Sequence, residues 1–143
     1  MVKTIKKRIK NMFRESLIYN SNSLEFRAKT MTLMIATDTD FNSCKQEILE
    51  KIVHLTYSDN RTKAELLKDM VYEYYEKIVT DNNLDFEHLL ILVEKEIKET
   101  REFAQKIDLD LLKTFVTCID NEEDKIYQER VFEFLKRLKA EYS

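Results

Sequence analysis

Asp38 and Asp40 lie two residues apart in a polar stretch between apolar runs, and the chain offers nearly the same arrangement 82 positions later. Asp38-x-Asp40-x5-Gln46-Glu47 recurs as Asp120-x-Glu122-x5-Gln128-Glu129. Carboxylates at i and i+2, joined by one from the following helix, supply the oxygen ligands that hard cations such as Ca²⁺, Mg²⁺ or Mn²⁺ take. The same acids also suit a purely structural task, because acids ahead of a helix cap its free N–H groups and complement its dipole. Neither stretch is an EF-hand loop, which needs oxygen ligands around a central glycine and a closing glutamate at position 12.

Other chemistry is thin. A carboxylate-bridged metal pair in a helix bundle repeats Glu-x-x-His on facing helices. The chain has Glu50 with His54 at i+4 and Asp85 with His88 at i+3, which do not repeat that spacing. Two dispersed cysteines and two histidines do not give zinc its usual ligand pattern. A phosphate-binding P-loop is excluded because the chain contains no glycine. No nucleophile and base can be paired, so a non-enzymatic role is expected. Cys44 and Cys118, 74 positions apart and outside any C-x-x-C spacing, read as two reduced, partly buried thiols, and a disulfide is not expected.

The elements that must position these residues read as helices. With neither glycine nor proline in 143 residues, reversals rest on Asp, Asn, Ser and Thr, and the glycine-bearing hairpin turns are closed to the chain. Its 43% hydrophobic and 36% charged residues suit amphipathic helices around one core. Seven segments follow. Residues 3–19 carry Ile5, Ile9, Met12, Phe13 and Leu17 on one stripe, and Ser21 or Ser23 caps a second helix to about Ala36 whose last turns are apolar all round. Capping boxes Ser43-x-x-Gln46 and Thr62-x-x-Glu65 open the third and fourth, the former carrying Ile48, Leu49, Ile52, Val53 and Leu55 inward. Asp85 caps a fifth to about Lys106, and Asp108 a short sixth around Leu112, Phe115 and Cys118. The seventh starts at Glu122–Asp124 and turns Tyr127, Val131, Phe134, Leu135, Leu138 and Tyr142 inward.

Charge is distributed unevenly. Lys3, Lys6, Lys7, Arg8, Lys10 and Arg14 stand without an acid among residues 1–14, so the other 18 bases face all 27 acids, a balance of −9. A basic amphipathic helix, residues 1–20, therefore precedes an acidic domain, residues 21–143. The acidic body repels a phosphate backbone, and nucleic-acid binding is not expected. The basic face, with Lys6, Lys7, Lys10 and Arg14, docks on an acidic surface of this chain, a second copy or a partner, or else touches a membrane surface. Tyr72, Tyr74 and Tyr75 cannot all be buried by one stripe, which makes Tyr72 and Tyr75 candidates for an interface. No apolar stretch approaches the roughly 20 residues needed to span a bilayer, and no secretory h-region follows Met1, so a cytoplasmic setting is expected.

On Met34-Ile35-Ala36-Thr37-Asp38-Thr39-Asp40 through Glu47, and Cys118-Ile119-Asp120-Asn121-Glu122 through Glu129, the chain resembles the tellurite-resistance protein B-like (TerB-like) domains. The resemblance covers roughly residues 27 to 138. It implies an all-α bundle of about seven helices with pseudo-duplicated halves, and a stress-related role. It also implies divalent-cation binding, carried over here to Asp38, Asp40, Glu47, Asp120, Glu122 and Glu129. The family's glycine after the aspartate is missing, so Thr39, Phe41 or Asn121 must make the tight turn.

Overall fold

The apolar last turns of the second expected helix, Met31–Ala36, decide the architecture, because a stretch with so little polar surface must be surrounded. In the computed structural model, which describes residues 22–80 and 85–143, that run closes the central helix α1 (Asn22–Ile35). Around it stand α2 (Ser43–Thr56), α3 (Arg61–Val79), α4 (Phe86–Glu99) and α6 (Glu122–Tyr142). A 3₁₀ stretch at Arg101–Lys106, the short α5 (Leu109–Lys113) and a second 3₁₀ stretch at Thr114–Cys118 join α4 to α6. All regular structure among the described residues is helical, and no helix there is long and apolar enough to cross a membrane. The basic residues Lys6, Lys7, Lys10 and Arg14 lie outside the described residues.

α1 packs against α3, α4, α6 and the first 3₁₀ stretch. Leu24, Phe26, Leu33, Met34 and Ile35 are fully enclosed and join Leu67, Val71, Val93, Phe115 and Leu135 in a single core. Its two buried threonines are satisfied locally: Thr30 Oγ1 donates to Arg27 O and Thr32 Oγ1 to Ala28 O, each at 2.8 Å. Lys29, near the rim, holds both carboxylate oxygens of Glu96 on α4 at 2.8 Å.

Several boundaries fall where the residues place them, and others move for reasons of packing. Asp85 and Asp108 cap α4 and α5 through His88 N and Leu111 N. α2 and α3 are capped one and two residues before the expected capping boxes, by Asn42 and Asn60, which accept from Lys45 N and Lys63 N. Each Asn side-chain oxygen takes a first-turn N–H, the role expected of Ser43 and Thr62, and at α2 Gln46 Nε2 is left to donate to Phe41 O at 2.7 Å. The expected helix to Lys106 breaks at Thr100, and the following 3₁₀ stretch lets Phe103 stack on Phe26 with ring centroids 4.8 Å apart.

Two inward assignments are overturned. Leu55 is 65% exposed, with no neighbour among the described residues covering that side of the end of α2. Tyr127 lies outward against Phe86, and Gln128 takes its place in the core, its Nε2 donating to Met34 O at 2.8 Å. A one-residue rotation of α6 thereby gives the last turns of α1 an amide donor, which Tyr127 cannot supply.

Candidate functional site: the clamped acidic turn

Turn one, between α1 and α2, is built around a buried lysine. Asp38 Oδ1 accepts from Asp40 N at 3.1 Å, closing an Asx turn. Thr39, at the position of the missing glycine, takes φ +56°, the left-handed region that a β-branched residue enters only at a cost. Tyr75 of α3 holds it there, donating its hydroxyl to Thr39 O at 2.7 Å. Glycine at position 39 is therefore expected to stabilise the fold. Relief of about 1–2 kcal/mol of left-handed strain outweighs the roughly 0.4–1 kcal/mol that glycine adds to unfolded-chain entropy. A lower urea midpoint for Thr39→Gly than for the parent would refute this.

The lysine is Lys45, whose side chain is 0% exposed. Its Nζ donates to Ile35 O at 2.9 Å, to Asp40 O at 2.8 Å and to the Asp38 carboxylate. All three ammonium hydrogens are thus matched, as an interior charge requires. The ammonium also supplies, from within the chain, the positive charge that an ion would bring to Asp38. The periodicity of α2 does not reveal this residue, because a lysine between Cys44 and Gln46 looks like one more solvated charge. Its distinguishing signal is position: it lies where the first turn of α2 points back at the open carbonyls of α1.

Turn two is joined to turn one covalently. Cys44 and Cys118 form a disulfide with Cα atoms 5.5 Å apart, contrary to the expectation of two free thiols. A separation of 74 residues carries no information about pairing. The tight 3₁₀ stretch at Thr114–Cys118 brings the second cysteine to the first turn of α2, where Asn42 Nδ2 also donates to Cys118 O at 3.3 Å. Beyond it Asp120 and Glu122 are exposed, and Asn121 caps α6 through Glu123 N and Asp124 N. The repeated spacing therefore hides unlike settings. Asp38 is tied to a buried ammonium and Asp120 faces solvent; Gln46 closes its own turn, whereas Gln128 reaches across to α1.

The other acids of the expected set are placed apart. Glu47 is exposed on α2. Glu129 lines an open cleft of about 790 Å³ along α6, among Lys113, Val116, Arg130 and Glu133. A different trio converges: Glu50, His54 and Glu65 bring ligand-type atoms within 4.8 Å of one another. His54 Nε2 stands 2.9 Å from Glu50 and 3.4 Å from Glu65, while Lys68 bridges the same carboxylates at 3.1 and 2.8 Å. Lys68 draws the Glu50 carboxyl below its usual range, chiefly through its hydrogen bond, and Glu65 in turn raises the Lys68 ammonium. Glu50 is exposed and His54 and Glu65 are half-buried, and the two carboxylates already share the Lys68 ammonium.

Beside turn one the tyrosines are organised rather than scattered. Phe41 stacks on Tyr72 at 4.7 Å and meets Tyr75 edge-on at 5.0 Å. Burial above all, with the charges of Asp40 and Asp38 beyond it, holds the Tyr75 hydroxyl above the ordinary tyrosine range, so it stays a donor to Thr39. Tyr72 remains 39% exposed, and Glu76, one turn further along α3, is exposed as well. In comparisons with known proteins, no family model, no curated protein and no solved structure matches this chain.

Proposed function

We propose that this chain is a non-enzymatic helical interaction domain that receives a lysine- and arginine-rich segment of a protein partner on the face beside turn one. The observation that carries this reading is the pairing of Asp38 with Lys45, which fixes the turn from inside and leaves Asp40 exposed next to the Phe41–Tyr72–Tyr75 platform. A rigid aromatic face rimmed by Asp40 and Glu76 suits cations, which gain from the ring quadrupole and from the carboxylates together. Basic residues at Lys3, Lys6, Lys7, Lys10 and Arg14 make a second copy of the chain the first partner to test.

Sedimentation of the full chain as a function of concentration and salt tests the proposal. Self-association that weakens with salt is expected, and Tyr72→Ala is expected to weaken it about tenfold, the size of one moderate anchor. Charge reversal at Lys6 and Lys10 should match that loss. A chain that stays monomeric and captures no basic peptide, or associates equally well as Tyr72→Ala, would end this reading.

A second reading keeps the TerB-like resemblance, with a stress-related role and a divalent cation at the acidic turns. It is favoured by the disulfide and the Asn42 hydrogen bond, which draw both turns to one end of the bundle. Calorimetry with Ca²⁺, Mg²⁺ and Mn²⁺ decides it, and absence of heat in all three removes it. In a cytoplasmic setting, a disulfide of this kind persists only as a transient, redox-cycling one.

A further inference from the structure

We propose that Cys44 and Cys118 form a thiol–disulfide exchange site that opens and closes on the folded protein, with a dithiol as its reaction partner and Cys44 as the reactive sulfur. Disulfides serve chiefly as staples where a domain is too small to bury an adequate core. This core is a single cluster running from Leu24 to Leu138 and is complete without the bond. The two sides are also held by a hydrogen bond that reduction does not remove, from Asn42 Nδ2 to Cys118 O. The pair can therefore open without loss of the fold.

The two sulfurs occupy unlike positions. Cys44 is the second residue of α2, behind the cap Asn42, and is partly exposed. Free N–H groups and the positive end of the helix dipole stabilise a thiolate at such a position. Cys118 closes a 3₁₀ stretch and is 8% exposed. The neighbouring residue in sequence, Lys45, is already neutralised by Asp38, and the acids nearest in sequence, Glu47 and Asp120, both lie in solvent.

The exchange balances as follows. One thiolate of the dithiol attacks Cys44 Sγ, the Cys44–Cys118 bond breaks, and its electron pair leaves on Cys118 Sγ, which takes up a proton. The second thiol of the partner, having lost its proton, attacks its own mixed-disulfide sulfur and expels Cys44 as a thiolate. The protein gains two electrons, and the dithiol becomes a disulfide. Reduction releases the segment Thr114–Cys118 from its covalent tie to the first turn of α2, and thereby loosens turn two from turn one.

The test uses the full, unmutated chain in dithiothreitol at millimolar concentration without denaturant, with thiols counted by mass after alkylation and folding followed by circular dichroism. Full reduction with an unchanged helical signal is expected; a bond that opens only when denaturant unfolds the chain would overturn the proposal. The reduced protein is then alkylated with iodoacetamide across a pH series. Cys44 is expected to react about tenfold faster than Cys118 at neutral pH and to titrate below the ordinary thiol value of about 8.5. Equal rates, or a Cys44 midpoint at or above that value, would refute its assignment as the reactive sulfur. Cys118→Ser and Cys44→Ser isolate each thiol, and peptide-level mass ranking in the reduced parent gives the same answer should either variant fold poorly.

Discussion

Serine at both Cys44 and Cys118 is expected to lower the melting temperature by about 10–15 °C while leaving a folded helical protein at 25 °C. The bond closes a loop with a sequence separation of 74. In the chain-entropy account, cross-linking a loop of that length removes about 4 kcal/mol worth of freedom from the unfolded ensemble. For a domain of this size each kcal/mol corresponds to roughly 3–4 °C. The folded side loses little, because the Asn42 to Cys118 hydrogen bond survives and Phe115 and Ile119 stay buried beside it. The effect lies mainly in the denatured state, so the urea slope should rise as the uncrosslinked chain expands further. A shift under about 3 °C, well below what that closure entropy supplies, would mean that the bond does not form in solution or that the unfolded chain is already restrained there.

The second large effect concerns Lys45. Lys45→Met keeps the aliphatic volume but removes the ammonium that satisfies Ile35 O, Asp40 O and the Asp38 carboxylate at once. Removing one partner of a buried pair costs about 3–5 kcal/mol, because the other charge is left uncompensated. The Asp38 side chain is 12% exposed, which gives its charge only a narrow route to water. Adding Asp38→Asn to Lys45→Met should therefore recover part of the loss, by removing the unpaired charge while keeping the carbonyl oxygen that accepts from Asp40 N. Lys45→Arg is not a neutral exchange, since a planar guanidinium does not fit a fully enclosed site shaped for an ammonium. Chemical denaturation of the two single variants and the double variant supplies the cycle. A cost below about 1 kcal/mol for Lys45→Met, or strict additivity in the double variant, would show that the buried pair does not hold turn one.

The two effects act at the same place. Loss of the disulfide leaves turn two tied to α2 by the Asn42 hydrogen bond, whereas loss of Lys45 frees turn one from α1, so the face carrying Tyr72 and Asp40 depends chiefly on Lys45. Tyr72→Ala touches neither tie and should change association without a comparable change in stability.

Much of the helical layout is readable from the residues alone. Asp85 and Asp108 each accept from the backbone N–H three residues on, as an acid ahead of an apolar-periodic run suggests. The apolar end of α1 is buried, as its scant polar surface requires, and in the segment from Leu111 to Ile119 the apolar residues turn inward while Lys113, Thr114 and Thr117 face solvent. Periodicity failed where two registers scored alike. On α6 the stripe through Val131, Leu135 and Leu138 continues upward to either Tyr127 or Gln128, and Met34 O selects the amide. On α2 it could not tell that Leu55 faces outward among the described residues or that the Lys45 ammonium meets three acceptors. The acidic turns were visible as a spacing, but whether each carboxylate meets solvent or an ammonium was not.

These successes and failures divide by range. Helical class, cap positions and apolar stripes arise from interactions within a turn or two, between residues three or four apart, so composition and periodicity carry them. The bond from Cys44 to Cys118, the Gln128 amide on Met34, and the Tyr75 hydroxyl on Thr39 join residues separated by 74, 94 and 36 positions. Even Lys45, only 10 positions from Ile35, acts across a reversal whose shape Thr39 and Tyr75 set. Such contacts exist only once helices of fixed length pack around α1, because packing aims each side chain at a particular orphan carbonyl or sulfur.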